Sequence, residues 1–328
     1  KIMQQVTLGL SVHRPEMIPI ISKQMRNHAA IFLEEPPAPG FENMLCGDLS
    51  IDDYLLTLDV EYAEFSRRMC YLMRELHQGE KKIFQVEPFL EVLFQIHEFF
   101  AEGHEPAEIK KNTIQYPVYL AERNATKALL AYYQTVMQGS FDKTVATIKQ
   151  FARMDAARFR LRDLMRARAL ALLVYDYPSS YIEAGVIHYP LWRMLYQMIP
   201  EKVYLKPTIS SAAALKTVGE KGHVFGPGDQ LTLLYIFHPG IAGTAREELL
   251  AARSIIYSKI IEKEELTDDL NTFPHLRNEL ACIRTTKQLS VDDCRRLFPL
   301  VRRAKSSDAR QIVAEYLAEL KPKMLKLR

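Results

Sequence analysis

TLGLSVHRPEMIPIISKQMRNHAAIFLEEP, residues 7–36, sets two short apolar runs on either side of a helix-like segment. Residues 6–12 read as a strand. Pro15 to His28 reads as a helix, with Pro15 in the first turn, where the absent backbone N–H has no helical partner to lose. Residues 30–34 read as a second strand, stopped by Pro36, Pro37 and Pro39. His13 follows the first strand, and Glu34 with Glu35 follows the second. A βαβ unit of this kind is expected to bring an imidazole and a carboxylate side by side.

The same alternation continues along the chain. Residues 50–78 read as mainly helical and closed by Gly79. Lys82 to Glu87 reads as a third strand, stopped by Pro88, and Phe89 to Glu102 as an amphipathic helix. Tyr119 to Val174 reads as almost wholly helical, with a break near Gly139 and Ser140. Tyr181 to Val186 is expected as a fourth strand, Leu191 to Met198 as a helix, and Val203 to Lys206 as a fifth strand. Phe225-Gly-Pro-Gly-Asp229 reads as a tight turn and Leu231 to Phe237 as a further strand. From Thr244 onward the pattern is helical. Strands alternating with helices imply an α/β fold with a largely parallel sheet and flanking helices, a long helical insertion at about 50–180, and a helical C-terminal region. The expected division is a core of residues 1–243 and a C-terminal region of 244–328 that packs on it.

The bulk composition narrows the function classes. The chain has 328 residues, is 48% hydrophobic and 25% charged, and carries 43 basic against 40 acidic residues for a net charge of +3. That balance, with no interleaved basic and aromatic run, argues against a nucleic-acid partner. No apolar run approaches the ~18 residues of a membrane span. Cys46, Cys70, Cys282 and Cys294 are widely spaced with no CxxC pair. They read as buried thiols of a cytoplasmic protein rather than a zinc knuckle or disulfide framework. GxGxxG, GxxxxGK[ST] and GxSxG are absent, which speaks against dinucleotide, P-loop and serine-hydrolase chemistry.

In parallel sheets, ligands bind beyond the carboxyl ends of the strands. The strand ends here carry His13, Glu34 with Glu35, Glu87 and His188. The fourth strand leads through Gly185-Val-Ile-His188, echoing Gly9 and His13 at the first. Between them lies a helix with six arginines from Arg153 to Arg168. Arg158, Arg162 and Arg166 recur every four residues and so share a face, a row suited to a carboxylate or phosphate ligand. Gly…His at the first strand, "LE" at the second, Arg162-Asp163 on a helix and GxxH at a later strand, in that order, resemble the ChaN/EreA/TraB/Tiki group over roughly residues 6–200. This is the haem-binding-lipoprotein-like and erythromycin-esterase-like fold. The resemblance implies a site of His13, Glu34, Arg162, Asp163 and His188, with esterase, peptidase or haem-binding roles.

Two chemistries fit those residues. Without a metal, His13 would take a proton from water, Glu34 would orient its ring, and Arg162 or protonated His188 would stabilise the oxyanion of an ester, lactone or peptide. With a metal, His13, His188 and Glu34 would hold Zn²⁺, Mn²⁺ or Fe²⁺. Arg158, Arg166, Glu87 and Tyr189 are the candidates for substrate contact. The alternative is a non-catalytic haem or small-anion binding protein of the same fold; for haem, Tyr189 next to His188 is the candidate, because tyrosine can ligate haem iron. The expected partner is a small-molecule or peptide substrate, with the C-terminal helices available for homo-oligomer contacts.

Overall fold

A computed structural model describes residues 4–200, 202–221 and 224–325, with side chains to residue 320. Five strands form an all-parallel sheet: β1 (Gln4–Ser11), β2 (Ala30–Leu33), β3 (Lys82–Gln85), β4 (Ser179–Gly185) and β5 (Val203–Ile209). Their spatial order is β3-β2-β4-β1-β5. The first two strands are therefore not neighbours. β4 lies between them, pairing Leu8 with Ile182 on one side and Phe32 with Ile182 on the other.

β2 is buried at all four positions, and β1 from Val6 to Ser11. That is why the strands read as apolar runs rather than as clean alternation. Val6, Leu8, Leu10, Phe32, Ile182 and Ala184 face Ala167, Leu170, Val174, Leu191 and Leu195 in one core cluster. The other face carries Thr7, Gly9, Tyr181 and Glu183, with Gly9 level with Glu183 on the adjacent strand. Gly9 is required there: a Cβ would stand 1.8 Å from the Tyr181 hydroxyl and 2.1 Å from the ring carbon that bears it.

Between β2 and β3 lie three helices, Phe41–Cys46, Ile51–Leu56 and Ala63–Gln78, the last two within the stretch expected as helical. Ser50 caps Ile51–Leu56 by accepting from the Asp53 N–H at 3.0 Å. The helices Gln115–Gln138 and Phe141–Leu173 meet at the expected break, where Gly139 donates back to the Thr135 carbonyl at 2.8 Å.

One expected strand is a helix. Leu231 to Phe237 belongs to the helix Pro227–Phe237, and the expected turn is its start. Asp229 accepts from the Gly226 N–H at 3.0 Å, satisfying one of the donors a helix start leaves open. A seven-residue, mostly apolar run does not by itself separate strand from buried helix. The Pro-Gly-Asp ahead of it is helix-start chemistry rather than hairpin chemistry.

The chain divides into two compact units. One comprises 1–120, 159–223 and 265–274, and holds the sheet; the other comprises 121–158, 224–264 and 275–328. The second unit is helical: Thr244 caps Ala245–Ile260 and Ser290 caps Val291–Val301. In the first unit, Glu265 accepts from the N–H groups of Glu64 and Phe65, both at 2.9 Å, and so caps the helix Ala63–Gln78. Cys70, Cys282 and Cys294 are buried thiols as expected, whereas Cys46 is exposed. No helix among the described residues is long and apolar enough to cross a membrane.

Candidate functional site

The carboxyl ends of β1, β2, β3 and β4 gather His13, Glu34, Glu87, Glu183 and His188, and the helix Phe141–Leu173 adds Arg162, Asp163 and Arg166. Glu34 is the centre. Its Oε1 lies 2.7 Å from His188 Nε2 and accepts from Arg162 Nη2 at 2.8 Å. Its Oε2 accepts from the Gly185 N–H at 2.5 Å. Three donors on one carboxylate, its side chain 5% exposed, account for a buried negative charge. Glu35 turns away and accepts from Gln85 at 2.9 Å.

His188 is held from both sides. Nε2 meets Glu34, and Nδ1 is hydrogen-bonded to Asp163. Both nitrogens face carboxylates, so the ring carries two protons. Burial opposes that charge, but Glu34 and Asp163 outweigh it and raise the pKa to about 9. The same contacts act on Glu34: burial works against its ionised form, and His188 and Arg162 nonetheless hold it well below the usual carboxylate value. His188 is thus a cation in a buried ion cluster. Neither nitrogen is left for a metal, which removes it from the expected ligand set of His13, His188 and Glu34.

Arg162 bridges two carboxylates, with Nε 3.1 Å from Glu87 Oε2 in addition to the Glu34 bond. Arg166 is fully buried and donates to the backbone carbonyls of Val86 at 2.8 Å and Glu183 at 2.6 Å. It therefore ties β3 to β4 instead of reaching a substrate. Glu87 is fully buried, and its oxygens find no hydrogen bond of good geometry among the described residues. Burial pushes its carboxyl up, against the pull of Arg162 and Arg166.

The residue that completes the site is Glu183. It points from β4, between the strands that carry His13 and Glu34. Its Oε1 lies 3.1 Å from His13 Nε2, and its Oε2 accepts from the Glu34 N–H at 2.8 Å. The carboxylate that orients His13 is therefore Glu183, whereas Glu34 orients His188. The physical reason is the strand order, because β4 separates the two halves of the expected βαβ pair. A glutamate inside an apolar strand is itself a signal, since a charge is rarely buried without a partner.

His13 is the exposed member, its side chain 38% accessible, and its ring stacks on Phe65 at 5.0 Å. Burial works against its protonated form; the Glu183 hydrogen bond and charge, with Glu34 and Glu35 behind them, outweigh it and raise the pKa above 6.5. Ligand atoms of His13, Glu34 and Glu183 all lie within 4.8 Å of one another, close enough to share one divalent ion or one water.

Two expected substrate contacts lie elsewhere. Arg158 ion-pairs with Asp155 at 2.6 Å and Glu122 at 3.1 Å, all within the second unit. Tyr189 opens the helix Tyr189–Met198 and packs its ring 6.2 Å from Trp192 against the core, so its adjacency to His188 in sequence is not adjacency of side chains at the site.

Among known proteins, the chain is similar to an uncharacterized protein of Archaeoglobus fulgidus (strain ATCC 49558 / DSM 4304 / JCM 9628 / NBRC 100126 / VC-16). The two are 28% identical over 286 residues, which cover 87% of this chain and 94% of that protein. No family model matches the chain, and no solved structure does.

Proposed function

We propose that this chain is a hydrolase that activates water at His13, acting on an ester, lactone or peptide bond. The observation that carries the reading is a single accessible imidazole hydrogen-bonded to a buried glutamate at the carboxyl edge of the sheet, above a sealed cluster of opposite charges. A general base needs an orienting partner on its ring and a route to solvent, and His13 has both.

In this mechanism His13 takes the proton from water while Glu183 fixes the ring and stabilises the imidazolium. Arg162, 18% exposed and the outermost cation of the cluster, supports the negative charge that develops on the attacked carbonyl oxygen. His188 and Asp163 hold Glu34 in place from beneath. With an ion bound instead, His13, Glu34 and Glu183 would be its ligands, and the ion in place of the His13 base would supply a water of lowered pKa. The convergence of Gly9…His13, Glu34, Arg162-Asp163 and Gly185…His188 at one edge supports membership of the ChaN/EreA/TraB/Tiki group as part of the same proposal. A cytoplasmic location also belongs to it, supported by the four unpaired cysteines.

The test is a panel of esters, lactones and peptides, run with and without added Zn²⁺, Mn²⁺ or Fe²⁺, on wild type and His13→Ala. Loss of about 10²–10⁴-fold in turnover on His13→Ala is expected for a general base. Turnover that survives the substitution refutes the role of His13.

A further inference from the structure

A second group of metal-binding side chains lies apart from the sheet edge, and the water-activating chemistry makes no use of it. We propose that Glu42, Cys46 and His77 form a separate site for a zinc-class divalent ion. Their ligand atoms all lie within 4.8 Å of one another, and Cys46 Sγ is 3.8 Å from His77 Nε2. A tetrahedral zinc with Zn–S about 2.3 Å and Zn–N about 2.0 Å sets sulfur and nitrogen about 3.5 Å apart. A shift of a few tenths of an ångström brings the sulfur and nitrogen to that spacing.

The backbone arranges these residues in three ways. Glu42 and Cys46 are one turn apart on the helix Phe41–Cys46 and so share a face. Gly47, at φ +91°, ends that helix directly after the cysteine. His77 sits in the last turn of Ala63–Gln78. Arg74, one turn before His77, donates to the Met44 carbonyl at 2.8 Å and the Leu49 carbonyl at 2.7 Å. Those bonds tie the histidine-bearing helix to the segment that carries Glu42 and Cys46, so the donor set is positioned before any ion arrives.

The donor chemistry selects the ion. A thiolate and an imidazole favour Zn²⁺ over Mg²⁺ or Ca²⁺, and the carboxylate adds a third donor. Three protein ligands leave a position for water. Binding converts the Cys46 thiol to a thiolate with release of one proton to solvent, so uptake strengthens as pH rises. Cys46 is the one exposed cysteine of the four, which leaves it open to an incoming ion.

Co²⁺ is the probe. Titration of the full-length protein should give a thiolate-to-cobalt charge-transfer band that saturates at one equivalent and disappears on adding Zn²⁺. Cys46→Ser should abolish the band. His77→Ala should weaken Co²⁺ binding by about tenfold or more. His13→Ala should leave the band unchanged, which separates this site from the one at the sheet edge. Zn²⁺ should also slow the reaction of Cys46 with a disulfide reagent. The proposal is overturned by the absence of a band in the wild type, by a band that survives Cys46→Ser, or by wild-type Co²⁺ affinity in His77→Ala. Cys46 is exposed, so the serine variant keeps the core intact, and its circular dichroism should match the wild type.

Discussion

His188 should be doubly protonated at neutral pH, and the fold should depend on it. Its pKa lies at about 9 in the folded chain against an ordinary 6.5. At 1.36 kcal/mol per unit, that difference is worth roughly 3 kcal/mol. Below pH 6.5 both folded and unfolded chains hold the proton, and the full contribution is present. As pH rises from 6.5 the unfolded chain loses the proton while the folded chain keeps it, so stability falls until about pH 9. The carboxyl of Glu34 is displaced in the other direction, and its contribution is lost only on acidification. The assay is imidazole ¹⁵N NMR of histidine-labelled protein from pH 5.5 to 10, with His188→Gln assigning the resonance and urea denaturation run in parallel. The expected ring keeps both protons through pH 8, and Asp163→Asn, which removes one anionic partner, moves its midpoint to lower pH. A neutral ring at pH 7, or a midpoint near 6.5, would refute the reading of His188 as a buried cation.

Three further outcomes follow from the same geometry. Arg162→Met leaves Glu34 and Glu87 without their shared guanidinium and should destabilise the chain by about 3 kcal/mol in urea denaturation, the usual scale for breaking a buried ion pair. Gly9→Ala drives a methyl group into the sealed Tyr181 ring and should cost about 1–3 kcal/mol; adding Tyr181→Ala should make the pair less damaging than the sum of the single changes. Glu183→Gln removes the leading cause of the raised His13 pKa that opposes burial, so His13 should lose its proton at lower pH than in the wild type, as read from its ring resonances. A His13 titration unmoved by that change would mean that Glu183 does not orient it.

How much of this could be read from the amino-acid order depended on whether the cue was local or long-range. The strand and helix boundaries near Pro15, Pro36 and Gly139 follow from backbone chemistry within a few residues, and they were legible. Leu231 to Phe237 was not, because a short, mostly apolar run carries no clear period, and only the capping by Asp229 distinguishes a helix. At the site, each polar residue after a strand was visible, since a parallel sheet sends its strand ends to one edge. Which residue touches which was hidden. Insertion of β4 between β1 and β2 depends on the return of the chain after more than a hundred residues, and it hands His13 to Glu183 instead of Glu34. Arg158 shows the limit of face arguments: it lies on the same helix stripe as Arg162, yet its charge is already met by Asp155 and Glu122.

The charge distribution of the cluster leads to one more consequence for the proposed hydrolase. Glu34, Glu183 and Asp163 face Arg162, Arg166 and the His188 imidazolium, and a proton on His13, when bound, adds positive charge beside Glu183. A divalent ion held by His13, Glu34 and Glu183 would take the place of that proton. Proton and ion therefore compete, and below the His13 pKa the apparent affinity for Mn²⁺ or Zn²⁺ should rise about tenfold per pH unit, the slope for release of one proton. The titration belongs in the Cys46→Ser background, which silences the thiolate site, and Glu183→Gln should weaken the remaining binding. Affinity that is flat with pH in that background, or indifferent to Glu183, would mean that no ion sits on His13. Water activation would then rest on the imidazole and its glutamate alone.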